Sequence, residues 1–254
     1  MSPTDELVPV LKKLRLSGVL QSLDLRVRQA ADDPLAPSEF LYRLLTDEVE
    51  RREAKQLDVR LRRASFEHAK TIEDFDFTFN PTIPKAKLLE LATCAFVARR
   101  ENVCLVGQTG VGKSHLAQAL GHRACVAGYS VLYTPAHQLL TQLRAARADA
   151  SYDRRLTRFT SPDLLIIDDL GLRPLQAEEP MDLYEIIRQR YERSALIITS
   201  NRALDEWPPL FHDPLLAGAA LDRFLHHAEV LVLEGHSHRD PQRRTKPAPK
   251  PTTA

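Results

Sequence analysis

Gly107-Gln108-Thr109-Gly110-Val111-Gly112-Lys113-Ser114 reads G-x-x-x-x-G-K-S, and the residues on either side of it decide the fold. Before it, Asn102-Val103-Cys104-Leu105-Val106 is a short apolar run suited to a buried parallel strand; after it, Leu116-Ala117-Gln118-Ala119-Leu120 continues at helical spacing. Strand, glycine loop and helix in this order make a phosphate-binding loop. The glycines let successive backbone N–H groups turn inward while the new helix adds its positive dipole end, so polyphosphate is the natural occupant. The expected ATP contacts are Gly107, Gln108, Thr109, Gly110, Val111, Gly112, Lys113, Ser114 and the adjoining His115. Lys113 is expected to reach the β- and γ-phosphates, and the Ser114 hydroxyl to ligate Mg²⁺.

A second motif completes the site. Leu164-Leu165-Ile166-Ile167-Asp168-Asp169 is an apolar strand that delivers acids at its C-terminal end, where open α/β sheets place their ligands. Asp168 is expected to hold Mg²⁺, and Asp169 to orient, or take a proton from, the attacking water. One strand later, Ile197-Ile198-Thr199-Ser200-Asn201-Arg202 ends in a polar set at the same edge, with Asn201 placed to orient water against the γ-phosphate.

Around this core the chain alternates strands and helices. Ser130-Val131-Leu132-Tyr133 and Ala195-Leu196-Ile197-Ile198-Thr199 are further strand candidates, and the alternation implies a parallel sheet covered by helices. A single helix is expected from about Lys85 to Arg99. Upstream, Lys70 to Phe79 alternates aromatic residues with acids and ends in Asn80-Pro81, the pattern of an extended lead-in. Residues 1–70 read as a helical module. Leu7, Val10, Leu11, Leu14 and Val19 lie at helical spacing, Leu20, Leu23 and Val27 extend them, and Pro37 opens a second helix striped by Phe40, Leu41, Leu44, Leu45, Val49, Leu57 and Leu61. The expected organisation is therefore a helical assembly or partner module over 1–70, an ATPase domain over 71–235, and a basic, Pro-rich, disordered tail over 236–254.

Composition narrows the setting. The 254 residues are 43% hydrophobic and carry a formal net charge of +1, so any nucleic-acid surface must be a local patch. Met1 to Glu6 lacks the pattern of a signal peptide, and no apolar run approaches the roughly 20 residues that span a bilayer, so a cytoplasmic protein without a membrane partner is expected. Cys94, Cys104 and Cys125 form no C-x-x-C pair and read as reduced, mostly buried thiols. His226, His227, His236 and His238 lack nearby thiols and a defined ligand set, which argues against a metal centre there.

Taken together, G-Q-T-G-V-G-K-S-H, L-L-I-I-D-D-L-G-L and I-I-T-S-N-R, with K-T-I-E-D-F-D-F upstream and L-D-R-F-L-H-H downstream, resemble the IstB-type transposition helper ATPases over roughly residues 5 to 239. These belong to the AAA+ superfamily, in the branch shared with the DnaA initiator and the DnaC-type helicase loader. The resemblance implies an AAA+ P-loop NTPase core preceded by a small helical domain. It also implies an ATP-dependent protein that assembles on duplex DNA as a homo-oligomer, remodels it, and recruits or stimulates a cognate transposase, with hydrolysis controlling disassembly. Asn201 then matches the sensor asparagine, and Arg223 in Leu221-Asp222-Arg223-Phe224-Leu225 matches the arginine that enters a neighbour's ATP site.

The same branch carries an extra helix that touches nucleic acid between two core strands. Here that segment, Leu139 to Phe159, holds Arg144, Arg147, Arg154, Arg155 and Arg158 as the expected DNA contacts, bridging phosphates without reading bases. Arg243, Arg244, Lys246 and Lys250 of the tail add nonspecific attraction. Two departures stand out: Asp168-Asp169 replaces the Asp-Glu of many relatives, implying slow or partner-dependent hydrolysis, and Gly235-His236-Ser237-His238-Arg239 replaces a G-x-S-Y-R segment in which Arg239 is a further phosphate-sensor candidate. The competing functions are a DnaC-type helicase loader, a small-molecule kinase, and a nucleotide-gated adaptor that scarcely hydrolyses.

Overall fold

Four of the five strands are nearly continuous apolar runs buried on both faces, as the strands of a parallel sheet covered by helices are. The computed structural model describes residues 3–33, 35–78, 80, 83–235 and 237. Phe79, Pro81, His236, His238, Arg239 and the basic tail with Arg243, Arg244, Lys246 and Lys250 lie outside them. In chain order the elements are α1 (Pro3–Lys13), α2 (Ser17–Asp32), α3 (Pro37–Ala64), α4 (Lys85–Leu91), α5 (Ala95–Arg99), β1 (Asn102–Gly107), α6 (Lys113–Val126), β2 (Val131–Pro135), α7 (Ala136–Ala148), α8 (Tyr152–Thr160), β3 (Leu164–Leu170), α9 (Glu179–Arg190), β4 (Ala195–Ser200), α10 (Pro214–Leu225) and β5 (Ala228–Leu233).

The strands form one parallel sheet in the order β2-β3-β4-β1-β5. Because β4 pairs with both β1 and β3, the C-terminal ends of the three motif-bearing strands lie side by side. Cys104 and Ile167 both pair with Ile198, which sets the two nucleotide motifs at one level. The register of β3 slips between Ile167 and Leu170, and Asp169 takes a left-handed φ of 58° there. A β-bulge thus forms where the acids leave the strand.

The main core joins Cys104, Val106, Leu165, Ile167, Leu196 and Ile198 of the sheet to Leu139, Leu143, Leu156 and Phe159 of α7 and α8, Leu183 and Ile186 of α9, and Trp207 and Phe224. Asn102 ties this core to α10. Its Nδ2 donates to Phe224 O at 2.8 Å, and its Oδ1 accepts from Leu196 N at 3.1 Å. Asn102→Ala removes both partners together, and thermal unfolding should register a loss of about 1–3 kcal/mol, the cost of leaving such groups unmade.

The chain divides into two compact units, residues 1–59 and residue 60 onward, and the division falls within α3. Residues just beyond it bond within the second unit: Arg60 Nη1 donates to Cys125 O, His68 N donates to Gln118 Oε1, and the Phe66 ring faces Tyr133. In the first unit, Leu11, Val19, Leu23 and Leu44 form a separate small core with Leu16, Leu20 and Phe40 against it. Glu48 reaches back to the start of α2, accepting from Gly18 N and Val19 N.

Several sequence expectations need correction. The helix anticipated from Lys85 to Arg99 is two helices, interrupted where Cys94 adopts a φ of 61°. The first N-terminal helix is likewise two, broken at Arg15 with φ 57°. Leu7, Val10, Leu14, Leu41, Leu45 and Val49 are exposed rather than core. The arginine-rich segment is a pair of helices, and β5 was not anticipated at all. The three cysteines are buried free thiols, and burial pushes those of Cys104 and Cys125 up to about 12 and about 11. Among the described residues no helix is long and apolar enough to cross a membrane.

Candidate nucleotide site

The phosphate loop runs from the end of β1 into the first turn of α6. Gly110 and Gly112 take φ of 86° and 106°, a region that any side chain would strain. A Cβ at Gly112 would also lie 2.7 Å from the Phe75 ring. The K-T-I-E-D-F segment thus packs directly on the loop. Phe75 meets the His115 ring edge-on with centroids 5.2 Å apart, and His115 Nε2 is 3.1 Å from Thr71 O.

Lys113 is 4% exposed, and its ammonium donates to Gly107 O and Gln108 O, both at 2.8 Å. The loop's own carbonyls therefore hold the cation over the cradle. The backbone N–H groups of the loop and the N-terminus of α6 supply further donors, so the site suits a polyanion. Ser114 follows as the second residue of α6, half-buried at its first turn.

From β3, Asp168 is 3% exposed and accepts from two hydroxyls: Tyr133 Oη on β2 at 2.7 Å, and Thr199 Oγ1 on β4. Burial, and then the bond to Asp168, raise the pKa of the Tyr133 phenol, so it stays a donor. Thr199 Oγ1 also accepts from Asp169 N at 2.9 Å, pinning the bulge. One residue past β4, the Asn201 side-chain oxygen is buried without a hydrogen-bond partner among the described residues. Such an atom requires a water or ligand donor. With the Ser114 hydroxyl and the Asp168 carboxylate as hard oxygen donors, the set fits Mg²⁺ chemistry.

Arg223 does not join this group. It lies on α10, where Nη1 donates to Ala219 O at 2.8 Å and the guanidinium sits 5.6 Å from the Tyr184 ring. Its neighbour Phe224 is bonded to Asn102 at the start of β1, whereas the loop leaves the other end of that strand. At roughly 3.3 Å per residue the two ends stand about 16 Å apart. Its own loop is thus out of easy reach. The salt bridge to Asp222 or Glu229 that an ordinary surface arginine would form is likewise absent among the described residues.

The arginines of the sheet's β2 side are differently engaged. Arg144, Arg154 and Arg158 are exposed and Arg155 is half-buried, with Nη1 3.5 Å from Gln142 Oε1. Arg147 stacks over Tyr152 at 4.3 Å and pairs with Asp182, whose carboxylate also accepts from Tyr152 Oη at 2.7 Å. Burial raises the pKa of Asp182 against the pull of those partners. Elsewhere, donor atoms of Glu192, His226 and His227 lie within 4.8 Å of one another at the surface. His236 and His238, which the sequence sets beside the two histidines, lie outside the described residues. Tyr133 and Thr199 were also missed as site residues, because one hydroxyl within an apolar strand carries no pattern.

A parallel β2-β3-β4-β1-β5 sheet with this loop, this acidic strand end and an asparagine one strand over defines an AAA+ P-loop protein. More specifically, residues 9–246 match the family of IstB-like ATP binding proteins, and the chain belongs to it. It is 42% identical to an insertion-sequence ATP-binding protein of Mycobacterium tuberculosis over 92% of this chain and 93% of that one. It is 38% identical to the ATP-binding protein of insertion sequence IS21 of Pseudomonas aeruginosa, over 94% and 90%. Among solved structures, AMPPCP-bound DnaA from Aquifex aeolicus is similar at a TM-score of 0.55 and 22% identity, over 67% of this chain and 51% of that one. DnaI is similar at 0.55 and 21%, over 67% and 91%. At such identities these two establish the shared fold.

Proposed function

We propose that this chain is an Mg²⁺-dependent ATPase that acts as a transposition helper: it assembles on duplex DNA with ATP, deforms it, stimulates a partner transposase, and is released by hydrolysis. The observation that carries the reading is the gathering of Lys113, Asp168, Asp169 and Asn201 at one sheet edge in a member of an insertion-sequence ATP-binding family. Lys113 binds the β- and γ-phosphates by exchanging two loop carbonyls for phosphate oxygens. Ser114 and Asp168 would hold Mg²⁺, which would supply charge neutralisation at those phosphates. Asp169 and Asn201 orient the attacking water, with Asp169 as the proton acceptor.

Arg223 serves a neighbour's site rather than its own. The distance between its helix and its own loop supports this, and it makes a homo-oligomer the hydrolysing species. The exposed Arg144, Arg154 and Arg158, with Arg155, offer the duplex a phosphate-binding face without base readout. Arg147 contributes by fixing α7 against α9 through Asp182. Residues 1–70 serve assembly or the transposase, the tail adds nonspecific attraction, and the protein works in the cytoplasm.

The test is duplex-DNA binding by the purified protein with ATP, ADP or no nucleotide, at low and moderate salt. ATP-dependent retention is expected. With about four phosphate contacts per protomer, affinity should fall on the order of 10²-fold between roughly 50 and 200 mM salt. Binding indifferent to nucleotide would remove the mechanism and redirect attention to a protein client.

A further inference from the structure

The Asp168 carboxylate is clamped from both flanking strands. Tyr133 Oη on β2 holds Oδ2 and Thr199 Oγ1 on β4 holds Oδ1, so the plane of the group is fixed by two side chains, of which Tyr133 lies outside the nucleotide motifs. The two clamps differ in where they stand. Thr199 is on a central strand and is wholly buried. Tyr133 is on the edge strand, its ring tilted against Phe66 at 6.3 Å.

Two further facts give Tyr133 a second role. β2 ends at Pro135 and α7 begins at Ala136, so no linker separates the clamp from the arginine-bearing helices. Tyr133 also lines a cavity of about 260 Å³ shared with Glu67, Gln138, Gln142 and Arg158. Gln142 on α7 is in turn the partner of Arg155 on α8. Arg158, an expected phosphate contact, and Tyr133, which holds Asp168, therefore line the same cavity.

We propose that Tyr133 is a positioning residue that fixes the Mg²⁺-facing carboxylate of Asp168 and transmits to it the occupancy of α7 and α8 by nucleic-acid phosphate. The inference rests on the DNA-binding ATPase reading of this site and adds the route by which the two ligands communicate. The ring is rigid and wedged, so its hydroxyl follows the strand. A bond of 2.7 Å lengthened by about 1 Å is no longer a bond. DNA seated on the helix pair thus resets the carboxylate without touching it.

Tyr133→Phe deletes the hydroxyl and keeps the ring. Binding of a non-hydrolysable ATP analogue to the full chain is followed by fluorescence across an Mg²⁺ titration, with and without duplex DNA. Loss of an outer partner of a metal ligand costs about 10–100-fold in metal affinity, so the Mg²⁺ midpoint should rise by that factor in Tyr133→Phe. Affinity for the analogue without Mg²⁺ should be retained, which also reports that the variant is folded. Duplex DNA should shift the midpoint in the unsubstituted protein and cease to do so in Tyr133→Phe. Thr199→Val should raise the midpoint yet keep the DNA response, and Thr199→Ser should restore it.

An unchanged midpoint in Tyr133→Phe overturns the clamp, and a DNA response that survives in it overturns the transmission. The helper reading is judged separately, by whether ATP is needed for the unsubstituted protein to stay on DNA.

Discussion

Lys113→Ala should abolish ATP-dependent retention on DNA and lower phosphate release by about 10²–10³-fold, the loss seen when a preorganised donor to developing charge is removed. Direct nucleotide affinity should fall as well, by one to two orders of magnitude, since each hydrogen bond to a charged group contributes about 1.5–3 kcal/mol and about 1.4 kcal/mol is a factor of ten. The structure adds a consequence that the motif alone would not. The Lys113 ammonium bonds to Gly107 O and Gln108 O, so alanine leaves two loop carbonyls short of a donor and the nucleotide-free protein should also melt earlier. Lys113→Arg is the discriminating companion. It keeps the charge and can still satisfy carbonyls, so stability should recover, whereas the planar fork does not reproduce a point charge between two phosphates and turnover should stay low. Isothermal titration with ATP and a melting curve on the same samples separate the two effects. An alanine variant that holds DNA as the parent does would remove the phosphate loop from the mechanism.

How much of this was readable beforehand depended on periodicity. β1, β3 and β4 are apolar runs long enough to be buried on both faces, as strands of a helix-covered parallel sheet are, so the sheet and its two motifs were legible. β5 was not. It is the far edge strand, partly exposed, with Glu229 inside it, and its alternation over six residues is too short to stand out after the helix of Arg223. The N-terminal module failed for the opposite reason. It carries more apolar residues than its small core can bury, and spacing alone cannot say that Leu44 is inside while Leu41 and Leu45 are outside. The break at Cys94 has neither glycine nor proline to announce it. Within the site, Lys113, Asp168 and Asn201 were found because each ends a pattern. Tyr133 and Thr199 sit inside patterns, and their role follows only from strand order, which the sequence does not spell out.

Arg190→Met should be the most destabilising single change outside the site. Arg190, the last residue of α9, is 1% exposed, and its guanidinium donates to Phe159 O, Asp163 O and Ala195 O. Burial pushes its pKa down to about 9, which still leaves a cation at neutral pH. No carboxylate pairs with it among the described residues. Three carbonyls carry the whole compensation, so the residue acts as a rivet joining the end of α8, the turn before β3 and the start of β4. Methionine fills similar volume but deprives the Phe159 and Ala195 carbonyls of this donor at about 1–3 kcal/mol each, while Asp163 O keeps its bond from Ala195 N, so a net loss of about 3–5 kcal/mol is expected. For a domain of this size each kcal/mol shifts the melting temperature by about 2–4 °C, and the variant should melt some 10 °C or more below the parent. The damage should not spread evenly. Amide hydrogen exchange should rise first in α8, whose C-terminal anchor is lost, while the β1–β4 pairing beneath the phosphate loop keeps its protection. Nucleotide binding in the folded fraction should then survive where DNA retention weakens, because the arginines on α8 lose their fixed positions before Lys113 loses its own. A variant that melts like the parent would show that those carbonyls find water as readily as they found Arg190.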